Sequence, residues 1–141
     1  MNNNLRFLAI FIVLSGIIGV GVGYYMFQKT HDNLADLDAD YSLAAMELFH
    51  EYEANESKAN GVYLDKVIQI SGTLAEKSKL GESEVVLFIR PEDEIFGVSC
   101  AFSGADAEAA LALNEGTELS IKGICTGINM DVNLVRCVIN E

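Results

Sequence analysis

The chain has 141 residues, room for one domain and an appendage, and half of its residues are hydrophobic. Acids outnumber bases 21 to 9, and the formal charge of −12 repels phosphate backbones and anionic lipid headgroups at long range. The three cysteines, Cys100, Cys125 and Cys137, include no CxxC and fit no zinc-finger spacing, so a small metal-stapled fold is excluded.

After a short tail (1–6) the run Phe7–Phe27, FLAIFIVLSGIIGVGVGYYMF, carries no charge. At about 1.5 Å per helical residue it spans about 30 Å, the thickness of a bilayer core. We read 7–28 as a transmembrane helix. A cleaved signal peptide, with Gly21 and Gly23 at the cleavage site, is the competing reading; the apolar run continues through Tyr24, Tyr25, Met26 and Phe27 to full spanning length, which favours an anchor. The two tyrosines suit an interfacial belt. Ser15, Gly19 and Gly23 recur every four residues, a stripe of small residues that would let two such helices pair into a homodimer. Arg6 precedes the run and all 21 acids follow it, so the part from Lys29 onward has eight bases and a net charge of −13. The weak positive-inside signal at Arg6 and the long acidic remainder suit a single-pass inner-membrane protein with its C-terminal domain outside the cytoplasm.

Residues 29–40 read as a polar linker and 41–141 as the globular domain. Its first element is an amphipathic helix: Ser42 as the N-cap, Ala45, Leu48, Phe49 and Tyr52 on one face, Glu47, Glu51, Glu53 and Glu56 on the other, and a stop near Asn60-Gly61. After Lys66 the period changes to two. Ile68, Ile70, Gly72 and Leu74 share one face of a strand; a polar loop, SKLGES, leads to a second strand, Glu84–Arg90, ended by Pro91. Ile95–Phe102 makes a third strand with Val98, Cys100 and Phe102 on one face. A short helix, Asp106–Leu113, is capped by Asp106 and released at Gly116. Glu118–Gly127 and Asp131–Ile139 complete five strands. Gly72 and Gly123 occupy matching positions in the first and fourth strands, where a small barrel bends its corners. Mainly β, with five strands and a helix between the third and fourth, is the order of an OB-like barrel.

Three stretches resemble a known family of small bacterial OB-fold proteins, described as tRNA-anticodon-binding-domain-like. In Glu47–Lys66 these are Phe49, Glu53-Ala54-Asn55-Glu56, Ala59-Asn60, Tyr63 and Lys66; in the C-terminal third they are LNEGTELSIKGICTG, Leu113–Gly127, and DVNLVRC, Asp131–Cys137. The resemblance covers 41–141 and implies an OB barrel, often tethered to a membrane, with nucleic-acid binding suggested by fold alone. The chain lacks the lipidated cysteine of lipoprotein members.

OB barrels read single strands with strands two and three and two adjoining loops, through bases and stacking aromatics. The candidate ligand face here is Lys77, Lys79, Phe88, Arg90 and Phe96. Glu76, Glu82, Glu84, Glu92, Asp93 and Glu94 crowd the same region, the loop GINMD holds no base, and the apolar run around Phe88 argues for placing that ring in the core. Arg90 and Lys77 have nearby carboxylates to pair with. No nucleophile–base pair, cofactor motif or fixed metal-ligand spacing is legible, so no catalytic residue, cofactor or metal is expected. In an oxidising compartment two cysteines would pair. Cys125 with Cys137, in consecutive strands, is the first candidate; Cys100 with Cys137 is its competitor, and three buried thiols the alternative. The expectation is a membrane-anchored binding or interaction module for a protein or small ligand. A tethered single-strand nucleic-acid binder is the alternative, against the charge.

Overall fold

A computed structural model describes residues 3–29 and 34–140, in two compact units, Met1–Asn33 and Leu34–Glu141. The first unit is one helix, α1 (Asn3–Lys29). Its side chains described without interruption are those of 12–25; these, with Phe7 and Ile10, are exposed, and nothing lies within 4 Å of a Cβ built on Gly19 or Gly23. Among the described residues no helix is long and apolar enough to cross a membrane. The side chains of Arg6 and Lys29, and linker residues 30–33, lie outside the described residues.

The second unit begins with a single 3-10 turn, Leu34–Asp36, and a short strand, β1 (Tyr41–Ala44). Helices α2 (Ala45–Ala54) and α3 (Glu56–Tyr63) follow, then β2 (Val67–Leu80), β3 (Glu84–Ile89), β4 (Val98–Ser103), α4 (Gly104–Ala112), β5 (Glu118–Ile128) and β6 (Val132–Asn140). The sheet runs β1-β2-β3-β4-β6-β5, and β5 pairs back onto β2, so β2 to β6 close a five-stranded barrel. All its pairings are antiparallel except β4 with β6. This is the OB connectivity, with α4 between the third and fourth barrel strands as the strand order implied.

Four local expectations are corrected. Ser42 caps nothing: it lies in β1, which pairs in parallel with residues 68–71 of β2, and α2 starts at Ala45 with no side-chain cap. The extended conformation there is held from outside the segment, because Asp40 N donates to Val67 O at 2.8 Å and Asp40 Oδ2 accepts from Val67 N at 2.9 Å. The expected single helix is two, broken at Asn55, whose side chain accepts from Lys58 N at 3.0 Å and so starts α3. It also runs through Gly61 to Tyr63. The loop SKLGES is mostly strand: Ser78, Lys79 and Leu80 pair with Val86, Val85 and Glu84, leaving only Gly81, at φ +70°, with Glu82 and Ser83 to turn the chain. The third barrel strand starts at Val98, three residues later than its apolar pattern suggested, so Ile95 and Phe96 stand in the preceding loop.

The barrel interior takes Ile68, Ile70 and Leu74 from β2, Val85, Leu87 and Ile89 from β3, Val98, Cys100 and Phe102 from β4, Ile121 and Cys125 from β5, and Val132, Leu134 and Cys137 from β6. Leu48, Phe49 and Tyr52 of α2 pack against it. Each fully buried aliphatic or aromatic side chain contributes roughly 1.5–3 kcal/mol. The two matched glycines sit where backbone and core meet: a Cβ on Gly72 would lie 2.6 Å from Ile89 Cγ2, and one on Gly123 2.7 Å from Cys137 Sγ. Bulges after Leu74 and within β5 and β6 supply the remaining curvature.

The three cysteines are free and buried. The expected bridge from Cys125 to Cys137 is not formed, because the register turns the two toward different neighbours. Cys125, opposite Leu134, lies 3.3 Å from Tyr52 Oη, whereas Cys137 sits over Gly123 and hydrogen-bonds Cys100. Burial, then that hydrogen bond, pushes the Cys100 thiol well above its ordinary value.

Candidate functional site

Side chains alternate across a strand, and this splits the expected ligand face in two. On β3, Val85, Leu87 and Ile89 point inward while Val86 and Phe88 are half-exposed outside. Phe88 is therefore not a core residue. On the paired part of β2, Glu76 stands opposite Phe88 and Ser78 opposite Val86, whereas Lys77 and Lys79 stand opposite the inward Leu87 and Val85. The two lysines consequently belong to the side that α4 covers.

Lys77 donates from Nζ to Leu111 O at 2.9 Å and Leu113 O at 2.8 Å. These carbonyls close the C-terminal end of α4, and a cation there satisfies orphan acceptors and complements the helix dipole. Lys79 borders a separate hollow against α4, beside Glu82 and Glu108. Lys122 plays a part like that of Lys77 elsewhere. Buried on β5, it donates to Leu37 O at 2.7 Å and Ala35 O at 3.3 Å and ties down the 3-10 turn. On the outer face Arg90 donates to Glu76 Oε2 at 3.2 Å and lies 5.5 Å from the centroid of the Phe88 ring. Of the five residues expected to act together, only Phe88 and Arg90 are neighbours in one contact. Phe96 is in the loop before β4, 41% exposed.

The outer faces of β3, β4 and β6 and the turn between β5 and β6 enclose a shallow, open groove of about 270 Å³. Phe88 and Val86 form one wall and Met130 and Val135 another, with Ser99, Ala101 and Asn133 between them. Parallel pairing places Ser99 beside Asn133, and Ser99 Oγ donates to Asn133 Oδ1 at 2.8 Å. Asn133 Nδ2 donates to Asp131 O at 3.2 Å, so the groups of the polar floor bond one another. Gly97 N donates to Asp131 Oδ1 at 2.8 Å, and Gly97 O accepts from Val132 N at 3.0 Å. These two bonds stitch the loop carrying Glu92–Phe96 to the turn carrying Met130. A side chain at 97 would collide with Ile89 O at 2.5 Å, which is why glycine stands at the stitch.

Sequence reasoning missed Met130, Ser99, Asp131 and Asn133. A methionine set between Asn129 and Asp131 in a polar turn was the available signal, and the structure leaves it 65% exposed; the rest required knowing that β4 and β6 are neighbours. No lysine or arginine lines the groove. Among the described residues no group of His, Cys, Asp or Glu is arranged to hold a metal ion.

Barrel closure, the inserted helix and an open groove over the middle strands define an OB-like protein. The tRNA_anti-like family model matches residues 1–139, and the chain belongs to that family. Among solved structures it is similar to a lipoprotein of Klebsiella pneumoniae subsp. pneumoniae MGH 78578, described as a candidate nucleic-acid binder. The TM-score is 0.60 at 17% identity, over 79% of this chain and 98% of that one, a likeness of fold. A search of curated proteins finds no match to the sequence.

Proposed function

We propose that this protein is a membrane-anchored OB-fold binding module, with its domain outside the cytoplasm and the Phe88–Met130 groove as its ligand face. The observation that carries the reading is the groove itself: a half-exposed aromatic, Phe88, and an exposed methionine, Met130, facing each other across a hydrogen-bonded polar floor. Exposed apolar groups in a concavity mark binding surfaces. The uncharged 21-residue run within α1 supports the anchor, and Arg6 ahead of it gives a weak positive-inside signal for the outward orientation. The open stripe of Ser15, Gly19 and Gly23 is compatible with pairing of two anchors. No catalytic role is assigned.

A single-strand nucleic-acid binder is the second reading, favoured by the Phe88–Arg90 stack and by the family's fold. It is weakened by the engagement of Lys77 with α4 and of Arg90 with Glu76. Two experiments test the first reading. Protease added to intact spheroplasts should remove the C-terminal domain; protection until lysis would place the domain inside and reopen the second reading. A photo-crosslinking residue at Met130 should yield adducts in cells, and one at exposed Ser71 should not. Equal labelling from both positions would mean that the groove is not the ligand face.

A further inference from the structure

The occupant of the groove can be narrowed by its chemistry. Resting on the reading of the groove as the ligand face, we infer that it docks an extended, positively charged peptide segment of a partner protein. An aliphatic or aromatic side chain of that segment lies between Phe88 and Met130, and its basic side chains face Asp131 and the Glu92-Asp93-Glu94 run.

Three observations converge. The groove, about 270 Å³, is open along its length and does not enclose its occupant as small-molecule sites do, a shape that suits side chains projecting from a passing chain. Its walls are apolar, its floor holds the Asn133 amide and the Asp131 carboxylate with no lysine or arginine in the lining, and Arg90, which lies against the Phe88 wall, is engaged by Glu76, so the surface favours a cation over a phosphate. Its rim extends in the same sense. The Gly97–Asp131 stitch holds the loop of Glu92, Asp93 and Glu94 to the groove, and that loop also exposes Ile95 (77%) and Phe96 (41%). An acidic run and an apolar pair thus stand together in the loop tied to the groove, in a domain whose overall field attracts cations.

The test uses the full chain in zwitterionic lipid nanodiscs with 13C-methyl methionine. The Met130 methyl reports on the groove, and the Met46 methyl, packed against the core, serves as the internal control. The probes are short peptide pools of Lys, Arg, Leu, Phe and Gly; the same pools with Asp and Glu replacing the bases; neutral pools; and oligothymidine. The cationic pool should shift the Met130 resonance alone, with affinity falling as salt shortens the Debye length below about 8 Å. Phe88→Ala and Met130→Ala, read by calorimetry, should each weaken binding roughly tenfold, as loss of a central anchor does. Neutralising Glu92, Asp93 and Glu94 together should reduce the salt dependence.

If the acidic or neutral pool or oligothymidine shifts Met130 while the cationic pool does not, the cationic occupant is wrong and the groove stands as a ligand face. Cationic binding that survives both alanine variants would be adhesion to an acidic surface and would overturn the proposal. Silence at Met130 toward every probe would sink both the occupant and the groove.

Discussion

Leu87 and Phe88 are adjacent in β3 and have opposite fates. Leu87 is fully buried in the barrel, while the larger and more apolar-looking Phe88 stands outside over the groove. The same contrast separates two surfaces of the molecule. The interior is closed by bulges and close-packed glycines around a buried apolar core. The outer face of β3, β4 and β6 keeps a half-exposed aromatic, an exposed methionine and a set of hydrogen-bonded polar groups around an open groove. The proposed ligand face rests on this difference between a packed interior and apolar groups left partly exposed on the outer face.

The contrast can be broken most strongly from the inside. Leu87→Ala should cost about 2–5 kcal/mol, the transfer term plus a cavity the barrel cannot collapse, measured by urea denaturation of the full chain in detergent. Gly123→Ala should cost about 1–3 kcal/mol, because the new methyl lies 2.7 Å from Cys137 Sγ and 3.0 Å from Leu134 Cβ. Lys122→Met should cost about 1–2 kcal/mol by stranding the Leu37 and Ala35 carbonyls, and should raise hydrogen exchange in the 3-10 turn before it lowers the melting temperature.

Alkaline pH gives a smaller effect of known sign. Burial, followed by donation to Glu51 at 2.7 Å, pushes the Tyr63 hydroxyl from 10.0 up to about 12. The folded state then holds a proton that the unfolded state gives up. Tyr63's contribution is complete below about pH 10 and is lost as pH rises toward about 12. Tyr52, buried against Cys125, moves the same way. Tyr63→Phe should flatten part of that decline in chemical denaturation; an unchanged slope would mean that the hydroxyl is not protected. Smallest of all, Phe88→Ala should change stability by no more than about 0.5 kcal/mol, a value usual for surface substitutions. A cost as large as that of Leu87→Ala would return Phe88 to the core and remove the groove's wall.

The sequence by itself determined the barrel. Alternation at Ile68, Ile70 and Leu74 and at Val98, Cys100 and Phe102, glycines at 72 and 123, and a short alanine-rich helix after the third strand are local patterns, set by periodicity and turn chemistry. They predict the same elements wherever the chain goes. What the sequence could not determine was each residue's partner. Ser42 became strand because Val67 and its neighbours, some 25 residues on, offered a ladder. Lys77 left the ligand face because its register with Leu87 turned it toward α4. Phe88 left the core because both faces of β3 are apolar in composition, and only pairing with β2 and β4 decided which one closed inward. The groove exists because β4 and β6, separated by a helix and a strand in the chain, lie side by side and bring Ser99 to Asn133 and Gly97 to Asp131. Period and composition are properties of a segment; register and adjacency come from closing the whole barrel, and the site depends on those.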